Sequence, residues 1–200
     1  MRTNATRPDR GGARSRRAGA APKLALAVQY AVARTGLPAA ATLRRWAGAA
    51  VERDVAATLR FVGLAEGRTL NALYRGKDHA TNVLTFVYDD TVPLAGDIVL
   101  CVPVLRREAK DGGRALRAHC AHLVVHGMLH LQGHDHATPR EAARMEARET
   151  ALLGALGFAD PYAPRDADPV RRRAAPRRTP PPPGGGARSR VSGKPGGGTS

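Results

Sequence analysis

The sequence predicts one mixed α/β domain, residues 23 to 162, between two basic tails. Segments in which apolar residues alternate, as in strands, are interspersed with segments in which they recur with a helical period. The 200-residue chain is 42% hydrophobic, which is enough for one domain with a core, and it contains no internal repeat. We therefore expect a sheet of about four strands with helices packed on it.

The first half of the domain alternates between strand and helix. KLALAVQYA predicts a short strand, and PAAATLRRWAGAAV predicts a helix that Pro38 opens. The inner side of this helix carries Leu43, Trp46 and Val51. VAATLRFVG alternates again and predicts a strand. LAEGRTLNALYRG predicts a second helix, which ends near Gly76 because glycine readily adopts the left-handed conformation that follows helices.

The second half begins with two more strands and ends with two helices. VLTFVYD and AGDIVLCVPV predict the strands, the latter apolar enough to be buried. A long helix is predicted from about Gly113 to Leu131, and a last one covers PREAARMEARETALLGALG and stops at Gly157.

Most of the net charge lies in the tails. Of the total of +15, residues 1 to 22 carry +5 and residues 163 to 200 carry +7, which leaves +3 for the domain. Both tails are rich in Arg, Pro and Gly and lack the apolar content that offsets the entropy of ordering, so we expect them to be disordered. They either hold RNA loosely through counterion release or are solvated extensions of little consequence. In neither case do they define the activity.

The cysteines and the N-terminus favour a cytoplasmic location. Cys101 and Cys120 each stand among apolar residues, as core residues do, and this indicates a reducing compartment. No segment approaches the roughly 20 apolar residues that span a bilayer. The pair Arg16-Arg17 is typical of twin-arginine export signals, but the segment after it is short and weakly apolar. We expect no membrane contact.

The segment HGMLHLQGHDH, residues 126 to 136, contains four of the seven histidines. His126 and His130 are four residues apart on a predicted helix, so their side chains share one face about 5 to 6 Å apart. From this spacing two imidazoles reach one metal ion. The sequence therefore predicts a metal site that includes these two histidines.

The third ligand must come from beyond the helix. His122 shares the face, but three histidines spaced four apart spread over about 12 Å of helix, too far for bonds of about 2.0 to 2.1 Å to one ion. Gly133 lets the chain reverse after the helix. Spacing alone does not choose among His134, Asp135 and His136.

A peptidase is a remote alternative. The HExxH metalloproteases carry a glutamate base at the second position, where this chain has Gly127. The last helix offers glutamates and arginines in about equal number: Glu141, Glu146, Glu149, Arg140, Arg144 and Arg148. On this charge pattern we expect the glutamates to be solvated or paired with the arginines rather than to replace the missing base.

The string HLVVHGMLHLQGHDH, with RMEARETALLGALGF after it and LNALYRGKDHATNVLTF and AGDIVLC before it, resembles the YbeY family of bacterial endoribonucleases, which mature ribosomal RNA. The resemblance covers about residues 23 to 160. It implies an α+β fold with one zinc ion at the end of a cleft, bound by His126, His130 and His136. His134 stands where members often have tyrosine, and Thr85 where they have serine.

The resemblance also implies that Arg75 is essential. Without the resemblance, the surrounding sequence favours an ordinary solvated arginine at this position. A guanidinium is well shaped to stabilise the charge of a phosphoryl-transfer transition state. Lys77 and Asn82 are candidate contacts to the RNA backbone. Tyr74 and His79 are candidates for stacking on unpaired bases, although Tyr74 as a core residue is the commoner outcome.

Two functions from different classes follow. Three protein ligands leave one zinc position open, which is the layout of a hydrolase, whereas a structural zinc normally closes it with protein. The favoured function is a single-strand-specific, zinc-dependent endoribonuclease that acts on small-subunit ribosomal RNA near its 3′ end and in ribosome quality control. The alternative is an RNA- or ribosome-binding assembly factor with a structural zinc and little nuclease activity.

Overall fold

The computed structural model describes residues 21 to 89 and 91 to 163, so the predicted tails lie almost entirely outside the described residues. The elements are β1 (Leu24–Tyr30), α1 (Ala40–Ala49), β2 (Val55–Val62), α2 (Leu64–Arg75), β3 (Val83–Asp89), β4 (Leu94–Cys101), α3 (Val102–Asp111), α4 (Leu116–Leu131) and α5 (Pro139–Ala155). This α+β arrangement confirms the predicted fold class. Within these ranges no helix has both the length and the apolar character needed to cross a membrane.

The four strands form one mixed sheet in the order β1-β2-β4-β3. The first three in this order are parallel, with Leu26 opposite Ala57 and Ala57 opposite Gly96. β3 runs antiparallel to β4, with Thr85 opposite Ile98, and forms one edge of the sheet. An edge strand has no neighbouring strand on one side, so β3 can form the wall of an open cleft.

The sheet carries apolar residues on both faces. Successive strand residues point to opposite faces, so Phe61 and Ile98 belong to the larger core cluster while Val62 and Val99 belong to a smaller one. Helices α1, α3, α4 and α5 contribute to the larger cluster. Helix α2 packs Leu70 against the smaller cluster. α2 is therefore held on the face opposite α4.

The prediction that AGDIVLCVPV is a strand throughout is wrong for its last three residues, which begin helix α3. β4 ends at Cys101, and α3 begins at Val102 with Pro103 in its first turn. Proline is tolerated there because the backbone N–H groups of the first turn have no partner within the helix. Val102, Leu105 and Ala109 are buried at helical spacing. In the sequence, the apolar residues VPV continue the pattern of the strand, so the start of the helix could not be distinguished from a longer strand.

Helix α4 lies close against the sheet. It begins at Leu116, later than predicted, because Gly113 with a φ of +54° belongs to the turn before it. An ideal Cβ on Gly127 would lie 2.8 Å from Cγ2 of the buried Ile98 on β4. The position that carries glutamate in HExxH peptidases therefore faces the sheet here and has no room for a side chain.

Both cysteines are free and buried, which confirms the prediction that they are core residues. Cys120 belongs to the larger cluster and Cys101 to the smaller one. Burial raises the pKa of Cys120 to about 12 and keeps its thiol protonated, so it is a poor metal ligand.

Candidate metal centre and cleft

The end of α4 and the loop after it bring three histidines together. His126 and His130 lie one turn apart on α4, with ring centroids 4.5 Å apart. Gly133 has a φ of +89°, and its backbone N–H donates to the carbonyl of His130 at 3.0 Å. The chain then reverses, so that the ring of His136 lies 5.0 Å from that of His130 and 5.7 Å from that of His126.

The ring nitrogens of these histidines have the spacing of metal ligands. One nitrogen from each of His126, His130 and His136 lies within 4.8 Å of the other two. The Nε2 atoms of His126 and His130 are 3.1 Å apart. Two tetrahedral zinc–nitrogen bonds would place their nitrogens about 3.3 Å apart. The donor set therefore fits a divalent ion that accepts imidazoles.

The protonation of His130 also suits a ligand. Burial, reinforced by the neighbouring His126 and His136, lowers the pKa of His130 to about 4. Its imidazole is therefore neutral at neutral pH, and a histidine must be neutral to bind a metal.

The other two candidates for third ligand have different partners. Nε2 of His134 lies 3.1 Å from a carboxylate oxygen of Glu52, in the loop between α1 and β2. Asp135 accepts the backbone N–H of His136 at 2.7 Å through Oδ1. Of the three residues that spacing left open, His136 is the one whose ring meets the helical pair.

Gln132 anchors the loop that carries His136, a role that no pattern in the sequence indicated. It is the C-cap of α4 and is 7% exposed. Its side-chain NH₂ donates to the carbonyls of Ala50 at 2.6 Å and Met128 at 3.0 Å. Its side-chain oxygen accepts the backbone N–H groups of Glu52 and Arg53. One buried amide thus joins the end of α4 to the loop after α1.

Glu149 contradicts the expectation that the glutamates of the last helix are solvated or paired with arginines. Its side chain is 1% exposed. It lies within hydrogen-bond distance of His126 Nδ1 at 2.8 Å and of His122 Nε2 at 2.7 Å, and it accepts the hydroxyl of Tyr162. Burial alone would raise its pKa, but these hydrogen bonds outweigh burial and lower the pKa to about 2. Glu149 lies four residues from both Met145 and Leu153, which are buried, and this spacing was the available signal.

His122 takes part in a second group of potential ligands. With His126 and Glu149 it forms, among the described residues, another set whose ligand atoms lie within 4.8 Å of one another. The set shares His126 with the first group, and its carboxylate–imidazole distances of 2.7 and 2.8 Å are those of charge-assisted hydrogen bonds. His122 thus contacts the carboxylate behind the histidine triad.

The triad opens into a cleft of about 570 Å³. One wall consists of the end of α4 and the following loop. The opposite wall comes from α2, β3 and their connection: Arg75, Thr81, Asn82, Val83, Thr85 and Val87. Arg75, the last residue of α2, is exposed and lines the same cleft as the three histidines. The structure therefore brings together the four residues that the family resemblance pointed to.

The two candidate RNA contacts differ in placement. Asn82 lines the cleft, but its amide is engaged within the protein: Nδ2 donates to Glu108 at 2.9 Å, and Oδ1 accepts the backbone N–H of Val83 at 2.7 Å. Glu108 in turn lies 2.9 Å from Nε2 of His119. Lys77 is exposed in the loop after α2 and is not part of the cleft lining.

Tyr74 is exposed, so the commoner expectation of a core residue is wrong. It is 61% exposed, and its ring meets that of Phe86 edge to face with centroids 4.8 Å apart. Tyr74 and Arg75 are adjacent on α2, about 100° apart around the helix. Tyr74 thus contacts Phe86 of β3, whereas Arg75 lines the cleft.

The chain is similar to known proteins of one family. A family model described as "Endoribonuclease YbeY" matches residues 39–157. An Aromatoleum aromaticum protein of that name is 58% identical over 147 residues, covering 72% of this chain and 96% of the relative. A Methylibium petroleiphilum protein of the same name is 55% identical over 146 residues, covering 72% and 97%. A solution structure of a Thermotoga maritima protein aligns with a TM-score of 0.43 at 21% identity, covering 70% of this chain and 99% of that one. From the family match and these identities, the chain belongs to the endoribonuclease YbeY family.

Proposed function

We propose that this endoribonuclease cleaves unpaired RNA with a zinc ion bound by His126, His130 and His136, and that Arg75 acts on the same phosphate. Membership of the family supports an endoribonuclease that works on RNA in ribosomal RNA processing and depends on a metal. The observation that carries the proposal is the convergence of three imidazole nitrogens in a cleft that Arg75 also lines.

The ligand set suits hydrolysis better than a structural role. A zinc ion with three protein ligands keeps one position open, where it lowers the pKa of water and polarises a phosphoryl oxygen. The three histidines line a cleft rather than lying inside the core, and His136 is exposed. The site is thus accessible to a substrate as long as RNA.

Arg75 is proposed as the residue that orients the scissile phosphate and stabilises its transition state. Its planar guanidinium can donate to two phosphate oxygens at once, which a lysine ammonium cannot do. As negative charge builds on the phosphate oxygens, such a donor already in place stabilises the transition state more than the ground state.

The substrate's identity and the cellular setting belong to the same proposal. By resemblance to the family, we propose that the RNA is small-subunit ribosomal RNA near its 3′ end and that the enzyme works with that subunit in the cytoplasm, in ribosome biogenesis and quality control. Lys77 and Asn82 are proposed to contact the RNA backbone beside the cleft. The engaged amide of Asn82 leaves it one free N–H for this purpose.

A cleavage assay on unpaired RNA with metal-defined protein tests the proposal. We expect cleavage by the wild type and a strong loss of cleavage in His130→Ala and Arg75→Ala. Arg68→Ala is the matched control for Arg75, since it lies on the same helix and pairs with Asp78. A wild type that binds metal and RNA but does not cleave would favour the assembly factor instead.

A further inference from the structure

The two ring nitrogens of His126 face different partners. Nδ1 lies 2.8 Å from Oε1 of Glu149, and Nε2 lies 3.1 Å from Nε2 of His130. A neutral imidazole carries one hydrogen, on one nitrogen or the other. With the hydrogen on Nδ1, the ring donates to Glu149 and turns the lone pair of Nε2 toward the point shared with His130 and His136. With the hydrogen on Nε2, no lone pair faces that point.

We propose that Glu149 is a positioning residue for the metal centre: by accepting the Nδ1 hydrogen of His126, it fixes the tautomer and the ring orientation in which Nε2 binds the ion. The inference rests on the proposed ligand triad. A carboxylate behind a ligating histidine both orients the ring and makes it a stronger ligand. Glu149 acts through His126 and lies outside the cleft lining.

The carboxylate itself is held in place by two further donors. Nε2 of His122 lies 2.7 Å from Oε2, and the hydroxyl of Tyr162 donates to the same oxygen. Oε1 is left to His126. Each oxygen thus has its own partners, and the side chain cannot turn away from His126 without breaking contacts on α4 and at Tyr162.

The burial of Glu149 indicates a role beyond joining two helices. Among the described residues, its hydrogen bonds and ion pairs go to two histidines and a tyrosine, and to no lysine or arginine. A buried carboxylate without a cation is costly, and an apolar side chain would join α4 to α5 better. A divalent ion held by Nε2 on the far side of the His126 ring would supply the missing positive charge.

The alternative is that Glu149 binds an ion directly, together with His122 and His126. In that case His122 would be a ligand and would be essential for metal binding. If Glu149 is a positioning residue, His122 only steadies its far oxygen. Replacing His122 with alanine therefore separates the two arrangements.

Metal affinity of Glu149→Gln is the primary test, measured by titrating zinc against a competing chelator. Glutamine keeps the shape of the side chain, but its NH₂ can donate to Nδ1 and so favour the wrong tautomer. We expect the dissociation constant for zinc to rise about 10-fold to 100-fold. Glu146→Gln is the matched control, because Glu146 is exposed on the same helix, and its affinity should equal that of the wild type.

A second readout is the tautomer of His126 in metal-free protein, from long-range proton–nitrogen NMR correlations of the ring. We expect the hydrogen on Nδ1 in the wild type and a mixture in Glu149→Gln. A fall in affinity without a change of tautomer would assign Glu149 to packing alone and overturn the inference, as would unchanged affinity. If Glu149→Gln does not fold, Tyr162→Phe provides the test, with a smaller fall in affinity expected and an unchanged affinity counting against the inference.

Two controls separate this inference from the proposed function. If the wild type binds no zinc at the triad, the proposed metal site itself fails. If the wild type binds zinc and His122→Ala loses it, Glu149 and His122 are direct ligands and the positioning role is overturned. Retention of about one zinc per chain in His122→Ala supports the positioning role.

Discussion

Replacement of Gln132 with alanine should destabilise the domain and weaken metal binding together. The side chain makes two donor bonds, to the carbonyls of Ala50 and Met128, and accepts two backbone N–H groups, from Glu52 and Arg53. Each such bond contributes about 0.5 to 1.5 kcal/mol net, and buried groups left unpaired cost more than exposed ones. The four bonds together indicate a loss of about 2 to 6 kcal/mol in the free energy of unfolding.

Urea denaturation of metal-free protein measures this loss directly. In thermal denaturation the same loss should appear as a fall of about 6 to 20 °C in Tm. Gln29→Ala is the matched control, because Gln29 is exposed and its side chain, among the described residues, accepts only from the side chain of Arg60. It should stay within about 0.5 kcal/mol of the wild type. The folded fraction of Gln132→Ala should also bind zinc more weakly, since the loop that carries His136 loses its anchor. Stability within about 0.5 kcal/mol of the wild type would refute the reasoning.

Three further predictions concern the ion, the tail and the arginine. Elemental analysis should find about one metal ion per chain in wild type and in His122→Ala but much less in alanine variants of the three proposed ligands, and chelation should lower the Tm. Deletion of residues 163 to 200, which carry +7, should weaken RNA binding at low salt and flatten its salt dependence while the single-turnover rate stays unchanged; wild-type affinity and slope would show an inert tail. Arg75→Lys should lose about 10²-fold to 10³-fold in single-turnover rate, nearly as much as Arg75→Ala, with zinc and fold retained; near-normal rates in the lysine variant would limit Arg75 to attracting RNA.

The sequence predicted the parts of the fold that have a clear period. Alternation located the strands, and the four-residue spacing of His126 and His130 located half of the candidate site. Helix α3 was missed because VPV at its start continues the apolar pattern of β4. The proposed ligand role of His136 came from the family resemblance, because a chain reversal at Gly133 could bring any of three neighbouring side chains within reach of the helical pair.

The supporting contacts of the site were not predictable from pattern alone. Glu149 stands among arginines in sequence, and its charge suggested a solvated side chain, although its four-residue spacing from Met145 and Leu153 placed it on the buried face. Three of the four partners of the Gln132 side chain, Ala50, Glu52 and Arg53, lie about 80 residues earlier in the chain. Such contacts depend on how α1 and α4 pack against each other, and the spacing of apolar residues within one segment does not indicate this packing.

Two of the three histidines lie on a packed helix and the third lies in a loop, and this difference affects how an ion would bind and dissociate. His126 and His130 belong to a helix whose neighbouring residues Met128 and Leu129 are fully buried, whereas His136 is exposed in a loop. The proposed ligands His126 and His130 are therefore held in place by the packing of α4 before an ion arrives, and only His136 comes from a loop. We expect the ion to exchange by swinging of this loop while the domain stays folded, so that exchange is faster than global unfolding.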